Sequence, residues 1–136
     1  MENTIPVIDI GKALVEKSED GHLYIRIRDG QELDVEDIKS LLEAKTRLFG
    51  AEPHTTVFVA GINSSISNEA RVFASSKEAY QGAIAKTIVA KCLSTRLMGN
   101  FFIRFNKPPA PTKLFACEKE AVQWLNQMRD RLKNLN

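Results

Sequence analysis

The 136-residue chain fits one domain, which we place at residues 1–136, and a chain of this length can bury an ordinary hydrophobic core. Its net charge is only +2, from 19 basic and 17 acidic side chains, so there is no electrostatic argument for nucleic-acid binding. We recognise no signal peptide and no run near the ~20 apolar residues of a membrane span, and we therefore expect a cytoplasmic protein.

The first half of the chain predicts a hairpin, a helix and a buried strand. Residues 21–28 alternate apolar and polar side chains, and a strand over 13–16 can pair with them as a hairpin. Asp34 begins a helix with Asp37 in a capping-box position, and Gly50 ends this helix. The apolar run at residues 54–60 predicts a strand that is covered on both faces.

The second half predicts two helices, each followed by a strand, and then a final helix. Ser67 begins the first helix, residues 75–78 either restart or extend it to about Gly82, and residues 84–92 predict the next strand. Ser94 caps the second helix, whose apolar side chains are expected to cluster on one side: Leu97, Met98, Phe101, Phe102 and Phe105.

Three prolines force residues 107–111 into an extended segment, and a short strand over residues 112–116 follows. The final helix runs from Glu118 to about Leu132, and its predicted buried stripe comprises Ala121, Leu125, Met128, Leu132 and Leu135. Alternating strands and helices of this kind predict an α/β fold. We expect a mixed, mostly parallel sheet of about five strands with four packed helices.

The order of elements over residues 10–132 resembles the anti-sigma-factor antagonist (STAS) fold and its SpoIIAA-like relatives. The segments SISNEAR at 65–71 and GNFFIRFNKPPAPTKLF at 99–115 resemble small, uncharacterised bacterial STAS/Sec14-like proteins more closely. The resemblance implies a SpoIIAA-like fold. In STAS regulators a partner kinase phosphorylates a serine at the start of the helix after the central strand, and the resemblance places this region at residues 64–68. The usual Asp-Ser-Ser-Gly pattern is replaced here by Ile-Ser-Asn-Glu at 66–69.

Ser67 is the hydroxyl nearest to that position and is our candidate phosphoacceptor. Free backbone N–H groups and the helix dipole favour a phosphate at a helix N-terminus. The alternative is a plain N-cap, in which the hydroxyl oxygen accepts a hydrogen bond from one of those N–H groups.

An aromatic and basic segment provides the candidate surface for a ligand or partner: Phe101, Phe102, Arg104, Phe105, Asn106 and Lys107. With Trp124, its aromatic side chains either line a pocket for an apolar ligand or belong to the core. Two adjacent phenylalanines cannot both point inward unless the buried face of a helix is wide, so we expect one of them to be exposed. The polar residues form either a lip that binds an anion or a partner, or a solvated helix end.

The residues most often used in catalysis and metal binding are few. His22 and His54 begin strands, and we interpret them as surface or strand-end residues without a metal site. We expect Cys92 to be a buried thiol, whereas Cys117 lies at a helix start, where the dipole can acidify a thiol. No glycine-rich phosphate loop, GxSxG or HExxH motif is present, so we predict no catalytic residue and no cofactor.

We therefore predict a non-enzymatic regulatory or protein-interaction module of STAS-like type, with a protein partner and a weak homodimer. The alternative is a carrier or sensor of a small hydrophobic ligand, as in Sec14-like proteins. A large apolar cavity would favour the carrier, and a solid core with an exposed apolar patch would favour the interaction module.

Overall fold

The computed structural model describes residues 6–134, which contain eight strands and four α-helices. The strands are β1 (Val7–Asp9), β2 (Ala13–Lys17), β3 (His22–Ile27), β4 (Glu32–Leu33), β5 (His54–Val59), β6 (Ser65–Ile66), β7 (Ala83–Val89) and β8 (Thr112–Phe115). The helices are α1 (Val35–Phe49), α2 (Asn68–Ala74), α3 (Leu93–Phe101) and α4 (Glu118–Asn134). A π-helical turn at Phe102–Asn106 continues α3.

Six strands form one sheet in the order β1-β2-β3-β5-β7-β8. The two pairings that involve β2 are antiparallel, and the three pairings from β3 to β8 are parallel. Strands β4 and β6 form a separate parallel pair. The predicted mixed, mostly parallel sheet with four helices is confirmed, with six strands instead of about five. The additional edge strand β1 has three residues, which is too short for side-chain alternation to be recognised in a sequence.

Several local predictions are confirmed. Strands β2 and β3 form the expected hairpin, with Ala13 opposite Ile27. Asp34 caps α1, and its side chain and that of Asp37 exchange hydrogen bonds with each other's backbone N–H as a capping box requires. The helix ends at Gly50, as predicted.

Two helix boundaries differ from the prediction. Helix α2 ends at Ala74 instead of continuing to about Gly82, because the Ser76 hydroxyl donates to the Phe73 carbonyl and accepts from the Ala79 N–H, which stabilises a turn. Helix α3 begins at Leu93, so its N-cap is Cys92 and not Ser94.

Helices α1, α2 and α3 cover one face of the sheet, and α4 covers the other. Gly99 brings α3 close to β8, since a Cβ atom there would lie 2.7 Å from Leu114 Cδ1. In α4, Ala121 and Leu125 are buried and Met128 is partly buried, whereas Leu132 is exposed and Leu135 lies outside the described residues. Over residues 6–134, no helix is both long enough and apolar enough to cross a membrane.

Candidate ligand cavity

A cavity of about 110 Å³ lies between the sheet and the helices α1 to α3. Apolar side chains of β3 and α1 form much of its wall, and Phe58 of β5, Ile88 of β7 and Phe102 of the π-turn add to it. Protein interiors contain few voids larger than a water molecule, and about 10–15 Å³ suffices for one water. The cavity therefore has room for a small organic molecule.

Four polar side chains with titratable groups line the cavity, and each comes from a different part of the chain. Lys45 lies on α1, His54 begins β5, Tyr80 follows α2, and Lys86 lies on β7. The lining residues include no aspartate or glutamate. The cavity thus has an apolar wall, two amines and no acidic group.

Lys86 lies near the middle of β7, a strand with neighbours on both sides. Its ammonium nitrogen lies 5.1 Å from the centroid of the Phe58 ring, 5.3 Å from that of Tyr80 and 5.7 Å from that of Phe102. Within residues 6–134 it has no hydrogen-bond or ion-pair partner. Lys86 is half-buried, and its amine lies among aromatic side chains at the cavity wall. This burial, together with the positive charge of Lys45, lowers the pKa of Lys86 to about 8.

Lys45 and Tyr80 each have hydrogen-bond partners. The Lys45 amine donates to the carbonyl oxygens of Ala79 at 3.2 Å and Gln81 at 3.0 Å, and burial lowers its pKa. The Tyr80 hydroxyl lies 2.9 Å from the Thr112 hydroxyl, and burial raises the pKa of Tyr80 to about 12. Lys45 is therefore held in place at the cavity wall, and Tyr80 is neutral there.

His54 is buried at the start of β5 with one ring nitrogen unpartnered. Its Nδ1–H donates to the Glu52 carbonyl at 3.1 Å, and Nε2 has no hydrogen-bond partner within the described residues. Burial lowers the pKa of His54, so the neutral ring is favoured. The predicted place at a strand start is confirmed, but a surface position is wrong.

The structure divides the predicted aromatic cluster into two rows. Phe102 and Met98 line the cavity, whereas Leu97, Phe101 and Phe105 are exposed. The prediction of one shared side is wrong because residues one position apart are about 100° apart around a helix, and α3 buries only one of the two rows. As expected from the adjacent phenylalanines, Phe102 is buried and Phe101 is exposed.

The other predicted surface residues lie away from the cavity. Arg104 and Lys107 are exposed, and Asn106 is partly buried with an Oδ1 atom that has no partner within residues 6–134. Trp124 packs against Phe115 on the α4 face of the sheet, with their ring centroids 6.0 Å apart. A role for Arg104, Asn106 and Lys107 in binding an anion or a partner stays a prediction.

Ser67 is the N-cap of α2. Its Oγ atom accepts a hydrogen bond from the Ala70 N–H at 3.1 Å, so the capping interpretation is confirmed. The hydroxyl is half-buried, and Arg71 lies one turn along and donates to the Ile66 carbonyl at 2.8 Å. Phosphorylation of Ser67 stays a prediction.

His22 belongs to a buried polar network on the α4 side and not to the cavity. Its Nε2–H donates to Asn126 Oδ1 at 3.1 Å, and its Nδ1 lies 2.7 Å from the Arg129 guanidinium and also contacts the Thr55 hydroxyl. Burial and the Arg129 charge lower the pKa of His22. The prediction of a strand-end residue is confirmed, but this residue too is buried. The residues that the structure describes contain no cluster of three or more metal-ligating side chains.

The two cysteines differ in how they match the prediction. Cys92 is partly exposed as the N-cap of α3, whereas Cys117 lies at the start of α4, as predicted, and is exposed. The backbone N–H of Asn63 and the hydroxyls of Ser94 and Thr95 lower the pKa of Cys92 to about 6. The expectation of a buried Cys92 thiol is wrong because the chain leaves the sheet at Val89, before this residue.

Sequence reasoning missed Lys45 and Lys86, although both break an apolar pattern. Lys86 interrupts the buried strand β7, and Lys45 lies four residues after Leu41 and four before Phe49, both of which are buried on α1. A lysine inside an otherwise buried stripe is the signal that could have marked each of these two residues as unusual.

The comparisons with known proteins identify a family and a structural relative. Residues 17–129 match the family model described as "Domain of unknown function (DUF7793)". No curated protein matches the chain. The chain is similar to the crystal structure of an uncharacterized protein from the DUF3478 family, with a SpoIIAA-like fold, from Shewanella loihica PV-4. The sequence identity is 15% and the TM-score is 0.56, with 92% of this chain and 98% of that chain covered. The SpoIIAA-like fold that the sequence predicts is therefore confirmed.

Proposed function

We propose that this chain, which belongs to the DUF7793 family of domains of unknown function, is a non-enzymatic regulatory module that senses or carries a small, mainly apolar molecule. The observation that supports this proposal is the apolar cavity of about 110 Å³. The cavity is partly open to solvent, so a ligand that fills it displaces water from an apolar wall and gains contacts with that wall. Binding therefore has a clear driving force.

The cavity volume limits the size of the ligand. An apolar cavity of about 150 Å³ binds benzene, so this smaller cavity encloses only part of an aromatic ring or short aliphatic chain, and the rest would extend through its open side. The walls select an apolar body, since they contain the side chains of Leu23, Ile25 and Leu41 among others. A drug-sized ligand would need a larger pocket, of about 300 Å³ or more.

The non-enzymatic part of the proposal is supported by the geometry of His54. Its Nδ1–H is already donated to a backbone carbonyl, and no hydroxyl or thiol of the described residues lies within hydrogen-bond distance of Nε2. Covalent catalysis by a serine or cysteine usually needs a base in such contact with the nucleophile. Incubation of the loaded protein, followed by mass spectrometry of the ligand, tests this point: an altered ligand would contradict it.

Toluene, as a neutral probe of about the right size, tests the binding function directly. We expect toluene to shift the methyl NMR signals of cavity residues such as Ile25, Leu41 and Ile88, and to raise the melting temperature. Ala74→Leu should fill part of the cavity and weaken this binding, whereas Ala116→Leu at an exposed position should not. Absence of toluene binding to the wild-type protein, or equal binding by Ala74→Leu, would contradict the proposed function.

A second candidate function is protein interaction through an exposed apolar row on α3 and the π-turn. This row, which we call the α3 patch, comprises Leu93, Leu97, Phe101 and Phe105, with exposed fractions from 42% to 66%. Contiguous exposed apolar surface of this kind often marks a protein contact. The adjacent Arg104 and Lys107 can supply a polar rim. We propose the weak homodimer as the simplest use of the patch.

Sedimentation velocity over a range of concentrations tests the homodimer. We expect the wild-type mass to rise with concentration and Phe105→Glu to remain monomeric. Val72→Glu is the matched control, because Val72 is an exposed apolar residue on α2 outside the patch. A wild-type mass that does not depend on concentration would exclude the dimer.

A further inference from the structure

We infer that the cavity ligand is a small apolar monocarboxylate, an aromatic acid or a short-chain fatty acid, whose carboxylate pairs with the ammonium group of Lys86. This inference rests on the proposed function, because the cavity must first accept the apolar part of such a molecule. It adds the chemical identity of the polar end of the ligand and the residue that recognises it.

The first argument is the unpaired state of Lys86. A lysine ammonium has three N–H donors, and buried lysines are almost always paired. Here the nitrogen lies over the Phe58, Tyr80 and Phe102 rings, at 5.1 to 5.7 Å from their centroids, and has no hydrogen-bond partner within the described residues. Aromatic faces attract a cation, but they accept no strong hydrogen bond. Lys86 therefore has the capacity to donate hydrogen bonds to a group inside the cavity.

The second argument is the imbalance of charge around the cavity. Lys45 and Lys86 both line it, and no acidic residue does. Several more accessible lysines of this chain, in contrast, have carboxylate partners: Lys12 pairs with Asp37 at 2.8 Å, and Lys39 pairs with Glu36 at 3.4 Å. The two amines at the cavity wall have no carboxylate partner within the described residues, and an anionic ligand would supply a counter-ion.

The third argument distinguishes a carboxylate from a phosphate. Phosphate sites commonly use the guanidinium fork of arginine, and no arginine lines this cavity. One free amine suits a compact monoanion better than a dianion. The apolar wall favours an apolar body beside the carboxylate, and the open side of the cavity lets part of a ring or short chain extend beyond it.

The titration of the cavity groups supports the same pairing. Tyr80 has a pKa of about 12 and His54 a lowered pKa, so neither changes charge in the alkaline range just above neutrality. The residues that α3 and the π-turn contribute are Thr95, Met98, Gly99 and Phe102, and none of these carries a charge. Lys86 is then the cavity group whose charge changes in that range. The pKa of Lys86 is about 8 in the ligand-free protein, so carboxylate affinity should fall as the pH rises through this value.

The test compares each carboxylate with its isosteric neutral amide on the full-length protein: benzoate with benzamide, and hexanoate with hexanamide. Calorimetry at pH 7 should give at least about tenfold tighter binding for each carboxylate, and the preference should fall above pH 9. Lys86→Met should lose this preference and still bind toluene. Lys91→Met, which removes an exposed lysine outside the cavity, should behave like the wild-type protein.

The outcomes separate the two proposals. If toluene does not bind, the proposed function and this inference both fail. If toluene binds but benzoate binds no tighter than benzamide, the inference alone is overturned. A second measurement needs no substitution: the ¹³Cε signal of Lys86 in labelled wild-type protein should titrate at a higher pH when benzoate is bound. An unchanged titration midpoint under saturating benzoate would also overturn the inference.

Discussion

Replacing Lys86 by methionine should stabilise the ligand-free protein at pH 7. In the folded protein the pKa of Lys86 is about 8, against an ordinary value of 10.5, because burial and the Lys45 charge disfavour the ammonium form. At 1.36 kcal/mol per pKa unit, this difference corresponds to roughly 3 kcal/mol of folding free energy lost at pH 7. Methionine has a similar length and no charge, so the variant should recover most of this energy.

The sign of the effect follows from the protons bound in each state. Between about pH 8 and 10.5 the unfolded chain holds a proton on this lysine that the folded protein has released, so the wild-type stability contribution rises with pH. Below this interval both states are protonated, and the full cost of the buried charge is present. The advantage of Lys86→Met should therefore be largest below pH 8 and should shrink towards pH 10.5.

Urea unfolding followed by circular dichroism at neutral and alkaline pH measures both the size and the slope of the effect. Both proteins contain Lys45, His54 and Cys92. Their direct contributions to the pH dependence of stability therefore largely cancel when the variant is compared with the wild-type protein. Lys91→Met is the control, since exposed lysines contribute little to stability. Two results would contradict the predicted cost of the buried ammonium group. One is a Lys86→Met variant that is less stable than the wild-type protein at pH 7, and the other is a parallel dependence of stability on pH in the two proteins.

Three further predictions concern the rest of the chain. Iodoacetamide should modify Cys92 faster than Cys117 at pH 7, with a rate midpoint near pH 6 in peptide mass spectrometry; equal rates would contradict the acidified thiol. Urea unfolding should show that Ser67→Ala costs about 0.5–2 kcal/mol and that Ser67→Asp is nearly neutral, as for an N-cap. A phosphopeptide containing Ser67 from the native cell, with partner capture altered by the Asp variant, would instead establish a phosphoacceptor. Gly61→Ala should lower the melting temperature strongly, because its Cβ atom would lie 2.4 Å from the Arg28 carbonyl oxygen; an unchanged melting temperature would show that the backbone can move there.

Most of the confirmed predictions of helix and strand positions depend on residues that are close together in the sequence. The alternation over residues 21–28 predicts β3, and the Asp34 and Asp37 pair predicts the start of α1, because both signals are set by side chains a few residues apart. The end of α2 was predicted wrongly for a local reason as well. The Ser76 hydroxyl forms a turn with backbone groups that a continuing helix would use.

The cavity could not be predicted in the same way, because it depends on residues far apart in the chain. Lys45 and Lys86 come together only after β5 and β7 pair and α1 packs over the sheet. Lysine is usually a surface residue, so a single lysine within an apolar stripe does not by itself indicate a cavity. The volume of the cavity depends on how several helices and strands pack together, and no residue spacing in the sequence predicts it.

The π-turn at Phe102–Asn106 connects the cavity with the α3 patch. The Phe102 ring lies over Lys86 inside the cavity, while the exposed rings of Phe101 and Phe105 lie 4.7 Å apart by their centroids. A ligand that packs against Phe102 supplies contacts that an empty cavity lacks, and it should reduce local opening of this turn.

We therefore expect toluene to slow amide hydrogen exchange at residues 101–106 more than at the amides of α4, which pack on the opposite face of the sheet. Stabilisation of the whole fold would slow the most protected amides everywhere, so the comparison is made between amides that exchange by local opening. Equal slowing on both faces, or none at residues 101–106, would mean that the cavity and the patch are independent. A selective effect would make the exposed row responsive to the ligand, as a sensor requires.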